Sequence, residues 1–282
     1  MVGASGSLDG GGGTLSAEIA VLQLPGSNCE RETVRAVEAA GGSASIVRWN
    51  EPVERLERCA AFVIPGGFSF QDRIRAGAVA ARLPVLDLIV RRAAEGTPVL
   101  GICNGAQVLV ESGVVPGISP GKLELVLAPN RMPGRNGYYA RWVFLGGGPA
   151  AERCLFTRGL GDQLLPVPIA HAEGRFATRD EAVARQLPSY IALAYRTPEG
   201  EPADAFPWNP NGSLHAAAGI TNEAGNVLAL MPHPERAAIA AQVPAAIRAG
   251  AADGDGANEE AEAAGPGLLL FRNLVEAVGG SR

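Results

Sequence analysis

A cysteine held between two glycines joins two apolar runs, Pro98-Val99-Leu100-Gly101-Ile102-Cys103 and Asn104-Gly105-Ala106-Gln107-Val108-Leu109. Such a segment requires a strand, a turn too tight for Cβ atoms at Gly101 and Gly105, and a helix, in that order. The turn strains the backbone of its central residue and pushes Cys103 out at the tip. The helix starting at the next residue offers unpaired N–H groups and the positive end of its dipole, which favour a thiolate over a thiol. A buried structural cysteine would need neither glycine. The pattern therefore predicts an exposed nucleophilic sulfur on an α/β scaffold.

The rest of the N-terminal half repeats this alternation. Behind a Gly/Ser-rich stretch over 1–17, expected to be a flexible extension, Glu18 to Leu24 reads as a buried strand. Ser27-Asn28-Cys29-Glu30 reads as a capping box opening a helix that stops at Gly41-Gly42. Ser45 to Trp49 and Cys59 to Ile64 are further strands, the second followed by Pro65-Gly66-Gly67. Helical material breaks at Pro84 and resumes through Val85 to Ala94 before a strand from Pro98 to Ile102. Strands alternating with helices in this way imply right-handed crossovers on an open, mostly parallel sheet with helices on both faces.

Beyond Gly113 the pattern changes to strand-like runs separated by turn signals: Leu123 to Leu127, Tyr138 to Leu145, Leu165 to His171, Tyr190 to Tyr195, His215 to Ile220 and Val227 to Met231. These predict antiparallel hairpins added to the sheet. Residues 244–267, rich in Ala, Gly, Asp and Glu, are expected to be a loose insertion ahead of a last helix from Leu268 to Val278. Residues 18–282 read as one domain, and a hydrophobic content of 47% supplies a substantial core.

Composition excludes several function classes. A net charge of −5 without a Lys/Arg cluster argues against nucleic acid or an anionic membrane as partner. No run approaches the roughly 18 apolar residues of a spanning helix. Residues 1–16 lack the basic and apolar regions of a signal peptide, so the cytoplasm is the expected location. Cys29, Cys59, Cys103 and Cys154 are widely spaced and read as reduced thiols, and His171, His215 and His233 form no close ligand pair, so no metal site is expected. The chain carries no Gly-x-x-x-x-Gly-Lys-Ser/Thr loop, and no cofactor of its own is expected.

Acyl transfer needs a nucleophile, a base steered by a carboxylate, and donors for the oxyanion. The base is best sought in Met231-Pro232-His233-Pro234-Glu235, where Pro234 biases His233 towards extended geometry. In an extended segment Glu235 can reach one imidazole nitrogen and leave the other for a thiol, giving a Cys103, His233, Glu235 triad. His171 and His215 have no carboxylate placed as well. Cys29, after Pro25-Gly26-Ser27-Asn28, is the rival nucleophile but lacks the second glycine. The backbone N–H of Asn104 is one oxyanion donor and that of Gly67, in a glycine pair at a strand end, is the second.

With these residues in place the chain resembles the class I (triad) glutamine amidotransferases. More narrowly it resembles the glutaminase subunits of phosphoribosylformylglycinamidine synthases. That match rests on Leu24 to Cys29, Pro65 to Asp72, Arg75 to Ala78, Arg141 to Val143, His171 to Phe176 and Asn209 to His215. Gln71 and Ala172 depart from it, both standing where glycine is commoner in the family. The resemblance implies hydrolysis of glutamine through a thioester on Cys103, with Gln107 helping to hold the amino-acid end. As partners it implies a large ATP-dependent synthase subunit, which holds the ATP and Mg, together with a small accessory subunit. The pathway implied is de novo purine biosynthesis, where formylglycinamide ribonucleotide becomes formylglycinamidine ribonucleotide. Two alternatives stand beside this reading: an amidotransferase or elbow-cysteine hydrolase serving another acceptor, and a non-catalytic binding module of the same fold.

Overall fold

The computed structural model describes residues 17–248 and 263–279. The Gly10 to Gly13 run and all but one residue of the expected N-terminal extension lie outside them. Strands β1 (Glu18–Gln23), β2 (Ser43–Arg48), β3 (Ala61–Ile64) and β4 (Val99–Ile102) alternate with helices α1 (Glu30–Ala39), α2 (Val53–Glu57), α3 (Pro84–Ala94) and α4 (Asn104–Glu111). Then come β5 (Val126–Ala128), β6 (Tyr139–Gly147), β7 (Leu165–His171), β8 (Arg175–Ala177), α5 (Glu181–Gln186), β9 (Ile191–Arg196), β10 (Ala217–Thr221), β11 (Val227–Leu230), α6 (Ala245–Arg248) and α7 (Leu268–Ala277).

Nine of these strands make one sheet in the order β2-β1-β3-β4-β11-β10-β9-β6-β7, and β5 pairs with β8 in a small ribbon. The first five run parallel and the remainder pair antiparallel. The expected class is therefore found, with the antiparallel half larger than a few added hairpins. In the parallel half Ile19–Leu22, Ala61–Ile64 and Val227–Leu230 are buried throughout, as strands covered on both faces must be. The chain steps from β1 to β2 one way and from β3 to β4 the other, so right-handed crossovers put α1 opposite α3 and α4. Helix α7 joins α1 on its face, where a Cβ on Gly42 would lie 2.5 Å from Val275 and 2.9 Å from Val37.

Two local expectations give way to observed bonding. Ser27 does not cap α1, because its hydroxyl accepts the Leu24 N–H at 3.0 Å and Cys29 takes the cap position. Pro84 does not interrupt a helix but begins α3, where its missing N–H costs nothing. Of the 244–267 stretch, residues 244–248, which include α6, and 263–267 are described. Residues 263–267 bond back at Ala240 N to Ala263 O, Gly265 N to Ala238 O and Gly267 N to Ala237 O, each 2.8 Å.

Buried Asn226, just before β11, clamps that strand to the end of α3 and to the loop into β4: its Nδ2 donates to Ala93 O at 2.8 Å and to Thr97 O at 2.9 Å. Asn226→Ala is expected to strip Thr97 O of this bond, to leave Ala93 O with only the Gly96 N–H at 3.0 Å, and to cost about 1–3 kcal/mol in urea unfolding. A change within ~0.5 kcal/mol would show that the clamp is not needed.

Candidate active site

Every strand of the parallel half points its carboxyl end to one edge, and the alternation of directions brings the end of β7 to that edge too. Ligands bind at this edge of open α/β sheets, beside the point where strand order reverses. A cavity of about 110 Å³ lies there, lined among others by Gly67, Asp72, Cys103, Gln107, His171, Glu173, His233 and Arg236. That is well under the roughly 300–1,000 Å³ of pockets for drug-sized ligands, and it suits the end of a small molecule.

Cys103 sits at φ 51°, ψ −104° as the residue before α4, its N–H donating to Leu230 O at 2.8 Å. A Cβ on Gly105 would lie 1.9 Å from Ile64 O and one on Gly101 2.6 Å from Gly105 O, so the turn closes only with glycine at both places. The sulfur is 6% exposed and lies at the wall of the cavity, pointing to Ala170 O at 3.8 Å, rather than standing at an open tip. The added antiparallel strands close over it.

His233 Nδ1 bonds Glu235 Oε1 at 2.6 Å, and both side chains are buried. The reach comes from a 3₁₀ turn over Pro234–Arg236 rather than from extended backbone. The imidazole shares the cavity wall with Cys103, and one of its nitrogens lies within 4.8 Å of the Cys29 sulfur. It packs against Gly66, where a Cβ would come within 2.8 Å of its Cε1. Burial works against its charged form, yet the Glu235 carboxylate and then the Cys103 sulfur push its pKa well above the ordinary value.

His171 lines the same cavity, and its environment separates the two imidazoles. Burial, with His233 adding to it, lowers its pKa to about 3. Asn130 Nδ2 donates to His171 O at 2.8 Å and Asn130 Oδ1 accepts the Gly174 N–H at 3.1 Å. The amide is thereby oriented, so His171 Nδ1 carries the hydrogen it gives to Oδ1 at 3.0 Å, and Nε2 is a bare acceptor with no partner. It cannot take a thiol proton near neutrality. His215 lies elsewhere, its Nε2 3.2 Å from Ala184 O.

Of the remaining expected residues, Gly67 and Gln107 line the cavity, and Asn104 directly follows Cys103 at its wall. Gly67 lines it, and the neighbouring bonds, Asn28 N to Gly66 O at 3.1 Å and Phe68 N to Gly26 O at 2.9 Å, leave its own N–H unused. Asn104 opens α4, so its N–H has no partner within the helix. Its side chain accepts Ser69 N–H at 3.0 Å and donates to Gln107 Oε1 at 2.9 Å. Gln107 Nε2 in turn donates to Glu173 O at 2.7 Å, so this glutamine braces the wall as well as lining it. Sequence reasoning missed the carboxylates of Asp72 and Glu173; the only signal was their place inside the segments that carry the family resemblance.

Cys29, His233 and Glu235 bring a sulfur, a nitrogen and a carboxylate oxygen within 4.8 Å. Their donors are already committed: Nδ1 to Glu235, and the sulfur to Arg236, which supplies the positive charge there.

Residues 16–278 match the CobB/CobQ-like glutamine amidotransferase domain. The chain belongs to this family. It is 46% identical over 237 residues to the phosphoribosylformylglycinamidine synthase subunit PurQ of Methanothrix thermoacetophila, covering 80% of this chain and 88% of that one. The PurQ subunit of Pyrococcus horikoshii is 40% identical, with 78% and 89% covered. Among solved structures the chain is similar to one from PurLQS of Thermotoga maritima, with a TM-score of 0.67 and 28% identity over 93% of this chain and 99% of that one. A putative GMP synthase protein from Thermoplasma acidophilum, at 15% identity and a TM-score of 0.52, shares the fold. The protein is thus a glutamine amidotransferase, grouped with the PurQ subunits.

Proposed function

We propose that the chain is the glutaminase subunit of phosphoribosylformylglycinamidine synthase and that Cys103, His233 and Glu235 are its catalytic set. The supporting observation is that Cys103 lines one small cavity together with an imidazole whose Nδ1 is held by a buried carboxylate.

His233 takes the thiol proton and Cys103 Sγ attacks the side-chain amide carbon of glutamine. The N–H groups of Asn104 and Gly67 receive the charge that develops on the oxygen. His233 returns the proton to the departing nitrogen, ammonia leaves, and a thioester remains on Cys103. Water, deprotonated by the same imidazole, then releases glutamate. Asp72 and Glu173 offer negative charge to the ammonium end of the substrate, while Gln107 shapes the adjoining wall.

Ammonia in neutral water is mostly protonated and a poor nucleophile, so the product must pass under cover to its acceptor. In this reading the acceptor, ATP and Mg belong to a large synthase subunit, the complex is completed by a small accessory subunit, and the assembly works in the cytoplasm without nucleic acid or membrane.

The reading is tested by reconstitution with the large subunit from the same source. Glutamine-dependent conversion of formylglycinamide ribonucleotide should require this chain, whereas a high concentration of ammonium salt should bypass it. Failure of the chain to support glutamine as nitrogen donor, with the ammonia reaction intact, would overturn the assignment.

A further inference from the structure

Glu235 is fully buried, yet among the described residues its carboxylate makes one hydrogen bond, from His233, and its Oε2 has no partner. A buried carboxylate held at a single oxygen is free to turn, and an imidazole that depends on it for orientation turns too. One fixed positive charge stands beside it. Arg236 Nε lies 3.8 Å from Glu235 Oε1, too long for a hydrogen bond but within ion-pair range.

Arg236 cannot wander from that place, because its Nη2 donates to Cys29 Sγ at 3.1 Å. Cys29 is itself immobile: it is fully buried, precedes the first turn of α1, and gives its S–H to Asn28 Oδ1 at 3.0 Å. The Asn28 N–H in turn bonds Gly66 O, the backbone on which the imidazole rests. Glu32, also in the first turn of α1, adds attraction for the guanidinium. The rival thiol is thus an anchor sealed behind the site.

We propose that Arg236, anchored by Cys29, is a positioning residue: it fixes the Glu235 carboxylate and through it the orientation of His233 towards Cys103. This rests on the assignment of Cys103, His233 and Glu235 as the catalytic set and extends that set by two side chains. Since Arg236 also borders the cavity, the competing role is a direct contact with the substrate carboxylate. The two roles differ in which kinetic constant they govern.

Steady-state glutamine hydrolysis is measured for the full chain in complex with its synthase, as wild type and as Arg236→Met, Arg236→Lys, Cys29→Ser and Cys29→Ala. Arg236→Met should lower kcat by about 10–100-fold, the scale of an ångström-sized misplacement, with KM changed no more than ~2-fold. Arg236→Lys, which keeps the charge, should recover much of the loss. Cys29→Ser, which keeps an acceptor, should exceed Cys29→Ala. The Arg236 side chain is 40% exposed, so these variants are expected to fold, and the lysine variant carries the comparison if the methionine variant does not. A raised KM at unchanged kcat would overturn positioning in favour of a substrate contact, and unchanged kinetics in Arg236→Met would overturn it outright. An inactive wild type, or an active Cys103→Ala, would instead remove the catalytic assignment beneath it.

Discussion

Replacing Cys103 with alanine is expected to lower glutaminase kcat by about 10⁵-fold or more, while the ammonia-dependent reaction of the assembled synthase continues unchanged. The argument is chemical before it is structural. Every covalent step of the proposed mechanism passes through one sulfur, and no neighbouring group can replace it. Cys29, the other thiol on the imidazole, is fully buried and bonded to Arg236. The fold should scarcely notice, since the change removes one atom from the edge of a cavity and leaves the strained backbone pinned by Leu230 O. Melting and partner association are the controls. Residual glutamine turnover within tenfold of wild type, in a folded variant, would refute the sulfur's role.

The second large effect is expected at a residue that touches no substrate. Gly105→Ala places a methyl 1.9 Å from Ile64 O and 2.7 Å from Ile64 C, both backbone atoms of a buried central strand. Neither can rotate away, so α4 must lift from β3 by more than an ångström. We expect a stability loss of about 3–5 kcal/mol in urea unfolding, at the upper end for overpacking. Whatever folded protein remains should lose most of its activity, because the same shift carries the Asn104 N–H off the position proposed for the oxyanion. Gly96→Ala is the matched control, with φ +96° and open space around its Cβ. It should show backbone strain alone, about 1–2 kcal/mol. Equal losses in the two variants would show that the close approach to β3 is unimportant.

Strands β1, β3 and β11 were legible because they are apolar runs followed within two residues by proline, as strands buried on both faces are written, whereas β2, at the sheet edge, is only partly buried. Leu165–His171 was legible at both ends through its alternation, with every second residue buried. The three residues of β8 were missed, for a strand that short carries no period. Helix α5 was missed although Asp180 caps it, accepting the N–H groups of Ala182 and Val183, a signal that local polarity obscured. The capping box at Ser27 failed because a competing donor, Leu24 N–H, lay closer.

At the site the sequence singles out the thiol, the imidazole and the carboxylate because each sits in a segment with its own local rule, and the structure brings all three to one end of the sheet. What could not be read was environment. His171 and His233 differ little as letters, yet burial, with His233 beside it, keeps one neutral while a carboxylate favours the charged form of the other. The Cys29–Arg236 bond joins residues 207 apart in the chain, and no periodicity reports such a pair.

The antiparallel strands between Cys103 and His233 also set an order in time. During synthesis the sulfur leaves the ribosome first, and at ~5–20 residues per second the base follows on the order of 10 s later. Even then β11 must slot in beside β4, and Gly267 must settle against the Pro234 carbonyl, where a Cβ would be only 2.1 Å away. Under the proposed mechanism, a nascent polypeptide that has emerged past Cys103 but not past His233 carries the sulfur without its proton acceptor and does not hydrolyse glutamine.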